Sequence, residues 1–527
     1  MKKYIYLLIA ITFTSCFKDL GNYDYDTLDE IIIEEVPENL GDLILFEDTI
    51  RINPVVTLGE NGKTGNFNYY WSQKEGTGTD AKFVRFSEEK DLELAVQTSG
   101  EIVLLFEAEN VETGVIRFKS TKANGTSQMS NGYYLLKETA EGNTDIDMIG
   151  FDSTTGEANV FADLLATTST FNGVLEGAPV ALDYWGYRYE DYETATLVPV
   201  PALRIASNKD IVVINTDKFE ILNTFEGMFL GDVPEVRNIQ AMKSIQKSTM
   251  MINDGKVYCF TNYYTAMVSS VLTEYGGNRF YPAMTGDYYM SEHISWPVMD
   301  NGSSFLTYDT KSSQFKYILT SALQPGLVKE NTTPTHFQES MDADLLLLES
   351  RATGAYGTDV YALFQGKTNT DSLSVVALNA SSLNNGYLTY KSSKHLKASE
   401  YLIDDASHYC VHQHYPYIYF AIDNKLYKYD IAQAKEELLM TFDDEITHID
   451  VTNEYYATSG ATIVQTQYTY LVVATNAAGA YTLRKYGLDS TGNITGEPNL
   501  TISGTGKVRG YMYIKPSSIP TWVRMYN

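Results

Sequence analysis

The sequence predicts an all-β protein in two parts, a small two-sheet sandwich followed by a ring of seven similar sheets. Three observations carry this: an excess of strand-forming aromatic residues, a row of short strands early in the chain, and a hairpin that recurs to its end. Tyr occurs 41 times against 22 Phe, and it suits half-buried strand positions where the ring packs and the hydroxyl stays wet. At 527 residues the chain is too long for one ordinary core. With 44% hydrophobic and 20% charged residues, it has globular composition and not that of a disordered chain.

The early strands begin near Ile31 and continue to Gly125. The clearest is Phe67-Asn68-Tyr69-Tyr70-Trp71, which follows the turn-like Gly62-Lys63-Thr64-Gly65. Residues 92–96 and 102–108 come next, and a turn at 109–114 leads into 115–118. Short strands at this spacing, with a Trp in an early-middle strand, describe an immunoglobulin-type sandwich over residues 31–125. No Cys pair staples it, so Trp71 is expected in the core.

From Gly132 a strand, a tight polar turn and a second strand recur. Residues 133–138 lead through Gly142 to 151–154, and 470–475 lead in the same way through Gly479 to 488–491. Five further hairpins lie between, at 203–214, 250–260, 305–318, 360–376 and 418–429. Asp254-Gly255 and Asp423-Asn424 supply the positive backbone angles that two-residue turns require. Successive turns fall roughly 55 residues apart, the scale of one four-stranded blade with its loops. Seven hairpins predict a seven-bladed β-propeller over residues 126–527, with the late strand 510–514 completing the first blade. A closed ring leaves no long exposed edge to template aggregation. Stacked sandwiches are the competing architecture.

The net charge of -28, with a pI near 4.6, repels phosphate backbones and excludes nucleic acid as a partner. The acids are scattered, which fits solubility. At the start, Lys2 and Lys3 precede an apolar run over 4–13 that is too short to span a bilayer. Thr14-Ser15-Cys16 then forms a lipobox, with Phe13 where Leu is usual. Residues 1–15 read as a lipoprotein signal peptide, Cys16 as the acylated residue, and 16–30 as a lipidated tether. Several acyl chains at about 0.8 kcal/mol per methylene make such an anchor permanent. The two other cysteines, Cys259 and Cys410, lack a spacing pattern and read as buried thiols in preference to a disulfide.

This arrangement resembles the PKD-like lipoproteins of Bacteroidetes. The residues that carry the resemblance are Cys16, Lys18-Asp19, Gly21-Asn22-Tyr23-Asp24-Tyr25 and Gly132-Tyr133-Tyr134-Leu135-Leu136-Lys137-Glu138. It implies a PKD-like sandwich, a propeller-like domain, and a lipid-anchored outer-membrane position at the cell surface. It also implies a partnership with a SusC/SusD-type importer in a nutrient-uptake locus, and it brings no catalytic residues.

No nucleophile elbow, metalloprotease helix or phosphate-cradling loop is present, and no cofactor is implied. His408, Cys410 and His412 alternate, as they would on one face of a strand, and are weak zinc candidates. A surface or channel-lining strand is the plainer reading. The segment Asp183-Tyr184-Trp185-Gly186-Tyr187-Arg188-Tyr189 lies in the longest gap between hairpins. Trp185, Tyr187 and Tyr189 offer flat faces for sugar rings or peptide side chains, and Arg188 offers hydrogen bonds. Tyr263 and Tyr264 form a second aromatic candidate. The expected function is non-catalytic capture of an oligosaccharide or peptide nutrient. A hydrolase with carboxylates converging in the propeller channel, and a purely structural transporter subunit, are the alternatives.

Overall fold

The structure, a computed structural model, describes residues 29–514 apart from loop segments, the longest of them 262–278, 296–303 and 457–465. It divides into two compact units, residues 1–125 and 126–527. Among the described residues no helix is long and apolar enough to cross a membrane.

The first unit is a β-sandwich. Its larger sheet has five strands in the order Asn39–Ile44, Ile116–Thr126, Gly100–Asn110, Phe67–Glu75, Lys82–Ser87. The pairs Ile31–Glu34 with Val55–Leu58 and Thr49–Ile52 with Leu92–Ala95 supply the rest. Period-two burial sets the core: Ile102, Leu104, Phe106 and Ala108 point inward while their neighbours face out. Trp71 is fully buried, with its ring 4.8 Å from that of Phe106. Its indole N–H donates to the Lys90 carbonyl at 3.1 Å, so the one polar atom of the largest core side chain is satisfied.

The second unit is a seven-bladed propeller. Blade 1 orders Ala158–Phe161, Thr144–Phe151, Gly132–Glu138 and the carboxy-terminal strand Lys507–Ile514. Blade 2 comprises Pro179–Trp185, Ala202–Ser207, Ile211–Asn215 and Glu220–Thr224, and blade 3 comprises Ile239–Ile245, Ser248–Asn253 and Lys256–Thr261. Blade 4 is built on Ser304–Asp309 and Gln314–Leu319, and Ser295 bridges to Leu306 to bring residues 290–295 alongside as its inner edge. Blade 5 begins at Ala343–Thr353, blade 6 at His408–Val411 and blade 7 at Glu445–Tyr456. The second strands of blades 1 to 4 are buried on both faces, because each blade packs against two neighbours.

Ring closure is visible in the cores. Each apolar cluster is shared by two adjacent blades: Tyr134 and Met148 with Ile205 and Ile214 between blades 1 and 2, and so on round the ring. The last cluster joins Val472 and Leu483 of blade 7 to Leu135, Tyr511 and Tyr513 of blade 1. Lys507–Ile514 pairs antiparallel with Gly132–Glu138, Tyr513 lying opposite Tyr133. Polar contacts cross the same seam: the Tyr481 hydroxyl donates to Asp147 at 2.6 Å, and Lys485 Nζ donates to the Tyr133 hydroxyl at 2.6 Å. Asp254 (φ 50) and Gly255 (φ 69) take the left-handed angles that their tight turn demands, and Asp423 (φ 50) does so in blade 6.

Cys259 and Cys410 are free, buried thiols in different inter-blade cores, the first between blades 3 and 4 and the second between blades 6 and 7.

Candidate functional site

The inner strands of a propeller approach one another around its axis, and here they line an open cavity of about 570 Å³. Blades 2 to 6 line it, and its ionisable groups include Lys243 from blade 3, Glu292 and His293 from blade 4, Glu349 from blade 5 and His408 from blade 6. Most of these stand in apolar strand sequence. Glu349 ends the run Leu345-Leu346-Leu347-Leu348, and His448 and Asp450 alternate with Ile449 and Val451 on the inner strand of blade 7.

Glu349 is the centre of this group. Its Oε2 accepts the Val411 N–H of blade 6 at 2.9 Å, which ties two inner strands together. Burial pushes its carboxyl up to about 7; the Asp450 charge adds to the rise, while Lys243 opposes it. Asp450 is pushed up to about 6 by burial, against the Val451 N–H and the same lysine. Side chains from blades 3, 5 and 7 therefore feel one another's charge across the axis. Glu349 and Asp450 keep some accessible surface, as channel-facing groups must, yet protein surrounds them on every side.

The imidazoles nearby are held neutral. Burial drives His448 down to about 3, with the neighbouring His408 and Arg509 charges adding to the effect. His408 is lowered by burial and Arg509, and His293 by burial, each against the pull of a neighbouring glutamate. Arg509 itself is held by Glu138 at 2.8 Å.

A second carboxylate repeats the inter-blade tie. Asp183, on the inner strand of blade 2, accepts the Ser244 N–H of blade 3 at 2.9 Å and the Arg204 guanidinium at 2.9 Å. Arg204 and Asp183 are both buried, so this ion pair is structural.

The residues singled out from sequence fall differently. Trp185 is the last residue of the inner strand of blade 2, opposite Ala202, and Tyr189 pairs with Val198 in a short hairpin, Tyr189–Asp191 with Thr196–Val198. Tyr187, Arg188, Tyr263, Tyr264 and the proposed lipid-bearing Cys16 lie outside the described residues.

His408, Cys410 and His412 do not converge on an ion. The strand stops at Val411, Cys410 packs into an apolar core, and His408 lies at the channel. His412 Nδ1 accepts the backbone N–H groups of His414 and Tyr415, which ends the strand in a turn. Among the described residues no group of three or more His, Cys, Asp or Glu could hold a metal.

Sequence reasoning named neither Lys243, Glu349 nor Asp450. Each is a single charge separated from the others by one or more blades, and no local spacing links them. The available signal was a charged residue inside an otherwise apolar inner strand.

Among solved structures, the propeller chain is similar to a quinoprotein alcohol dehydrogenase-like protein from Bacteroides thetaiotaomicron. That likeness has 12% identity and a TM-score of 0.47, and covers 92% of this chain and 99% of that one. A putative 6-phosphogluconolactonase from Bacteroides fragilis shows 15% identity and a TM-score of 0.39, over 73% of this chain and 98% of that one. The WD40 domain of SCAP from fission yeast shows 10% identity and a TM-score of 0.33, over 63% and 76%. No curated protein matches the chain in sequence. Residues 16–179, which take in the sandwich and three of the four strands of blade 1, match the PKD-like family.

Proposed function

We propose that this chain is a ligand-binding lipoprotein of the outer membrane, held by Cys16, that presents a nutrient to a neighbouring SusC/SusD-type importer. The ligand is an oligosaccharide or peptide, and its seat is the propeller channel. The observation that carries this reading is a cavity of about 570 Å³ lined by five blades, with Lys243 of blade 3, Glu292 of blade 4 and Glu349 of blade 5 in its wall. A cavity of that size accommodates a small ligand, and a few polar groups in its wall fix its orientation. The lipobox supports the placement on the membrane.

A second reading, hydrolysis, has one specific observation in its favour. Glu349 near 7 and Asp450 near 6 are poised to exchange protons at physiological pH. The test is a panel of oligosaccharides and peptides offered to the purified full chain. Saturable binding without products, weakened by Lys243→Met, supports capture. Products that disappear in Glu349→Gln support hydrolysis, and no interaction with any member overturns both.

A further inference from the structure

We infer that the channel takes an extended peptide, which pairs its backbone with the free edge of blade 3 at Met242. This rests on the channel being the ligand seat and chooses between the two ligand classes proposed for it.

The inner strands Pro179–Trp185, Ile239–Ile245, Ala343–Thr353 and His408–Val411 each stand last in the strand order of their sheet, so one edge of each has no strand beside it. Such an edge carries backbone N–H and C=O groups that need partners. At one level of the ring the preceding blade supplies an acceptor. Asp183 takes the Ser244 N–H and Glu349 takes the Val411 N–H, each at 2.9 Å. These two bonds fix which residues face outward from the edge. In an antiparallel strand, residues two apart point their N–H and C=O the same way. Register is regular from Met242 to Ser244 and from Tyr409 to Val411, so Met242 and Tyr409 face outward as well.

At their level the capping acceptor is missing. Two residues before Asp183 stands Ala181, and two before Glu349 stands Leu347, again in regular register. Neither side chain can accept a hydrogen bond. Ala181, Met242, Leu347 and Tyr409 all line the cavity. Among the described residues, nothing on the outward side bonds the Met242 N–H or C=O. Blade 3 offers the longer edge, since residues 240–243 of its inner strand all lie in the wall, against His408 and Tyr409 of the strand in blade 6.

A donor and an acceptor side by side on one residue match an extended peptide residue, which exchanges two hydrogen bonds with it. The surrounding wall suits the same ligand. Val180 and Leu346 are only partly buried and give apolar surface for peptide side chains, while Lys243 and Glu292 give charge. A sugar ring stacks on a flat aromatic face, but the described wall holds no Trp or Phe, and the Tyr409 hydroxyl already donates to the Ile403 carbonyl at 2.8 Å.

The test offers the purified full chain a library of N-acetylated tetrapeptide amides and, separately, maltotetraose, cellotetraose and chitotetraose. Equilibrium dialysis with mass spectrometry reads what is retained. The expected result is retention of peptides and not of tetrasaccharides. Single N-methyl groups are then walked along the tightest peptide. Affinity should fall about tenfold, the size of one hydrogen bond, at one position or at two positions two residues apart, with little change between them. Hydrogen exchange at the Met242 amide should slow on binding. The chain itself is left unmutated, so no folding defect can mimic these results. Retention of tetrasaccharides in place of peptides overturns the peptide assignment and leaves the channel as a ligand seat. Retained peptides that tolerate methylation at every position, or that leave the Met242 amide exchanging as before, overturn the edge pairing. Retention of neither class overturns the seat together with the inference.

Discussion

The sandwich and the propeller solve the same problem, burial of strand faces, with opposite treatment of charge. In the sandwich the core is apolar: Trp71, Phe106 and the alternating residues of Gly100–Asn110 fill it, and its ion pairs, such as Arg51 with Glu93, lie at the surface. In the propeller, charge goes inside. Arg204 pairs with Asp183, and Lys137 with Asp147, where nearly all solvent is excluded. Near the axis it adds the carboxyls of Glu349 and Asp450, both raised by burial. Buried charge is expensive and a fold retains it only where something is gained. Charge is thus buried in the propeller and kept at the surface in the sandwich.

Several perturbations would break or sharpen this contrast. The largest is truncation after residue 506, which removes Lys507–Ile514 and strips blade 1 of its inner strand. The exposed edge and the opened core between blades 7 and 1 should cost the whole stability of the propeller, about 5–15 kcal/mol for a typical domain. Calorimetry should then show a sandwich transition alone. Survival of a cooperative propeller transition would refute the closure.

Next come single core substitutions. Trp71→Ala should cost about 3–5 kcal/mol, and do so in the sandwich transition only. Asp183→Ala should cost about as much in the propeller, because it leaves Arg204 buried and unpaired. The double change Asp183→Ala with Arg204→Met should recover most of that loss, whereas no second change recovers Trp71→Ala. Denaturant melts of the three variants check this, and failure of the double variant to recover would show that the pair is more than a compensated cost.

A smaller effect is expected from pH. Glu349 and Asp450 have raised carboxyls in the folded protein, so their contribution to stability is complete below their unfolded values and lost as pH rises through about 6 to 7. His448 and His412 are depressed, to about 3 and about 4, so theirs is present above the ordinary histidine value and lost as pH falls. The propeller should therefore be most stable near pH 6, with opposite groups responsible for the two flanks. Glu349→Gln should reduce the loss of stability between pH 6 and pH 8 by about 1 kcal/mol, less for the solvent that reaches the channel. An unchanged slope between pH 6 and pH 8 would remove Glu349 as its cause. The smallest effect belongs to Phe118→Ala on the outer face of the sandwich, 66% exposed, which should change stability by less than about 0.5 kcal/mol.

Much of the architecture was legible because it repeats. Seven hairpins at similar spacing, a Trp in an early strand and a late strand able to close the ring are local patterns that survive without long-range information. The channel site was not legible, because Lys243, Glu349 and Asp450 become neighbours only when blades 3, 5 and 7 are wrapped around one axis. The aromatic segment around Trp185 drew notice because its residues are adjacent in sequence, and the structure places Trp185 at the end of an inner strand, in the connection to its second strand. The alternation of His408, Cys410 and His412 suggested a shared face, but the strand ends before His412, whose ring caps the turn that follows.

Hydrogen–deuterium exchange of the full chain, with and without a saturating ligand from the binding panel, tests the account most directly. Protection confined to the inner strands Ile239–Ile245, Ala343–Thr353 and Glu445–Tyr456 is the expected outcome. Protection that falls on the sandwich, or on the outer strands of the blades, would contradict a ligand seat on the propeller axis.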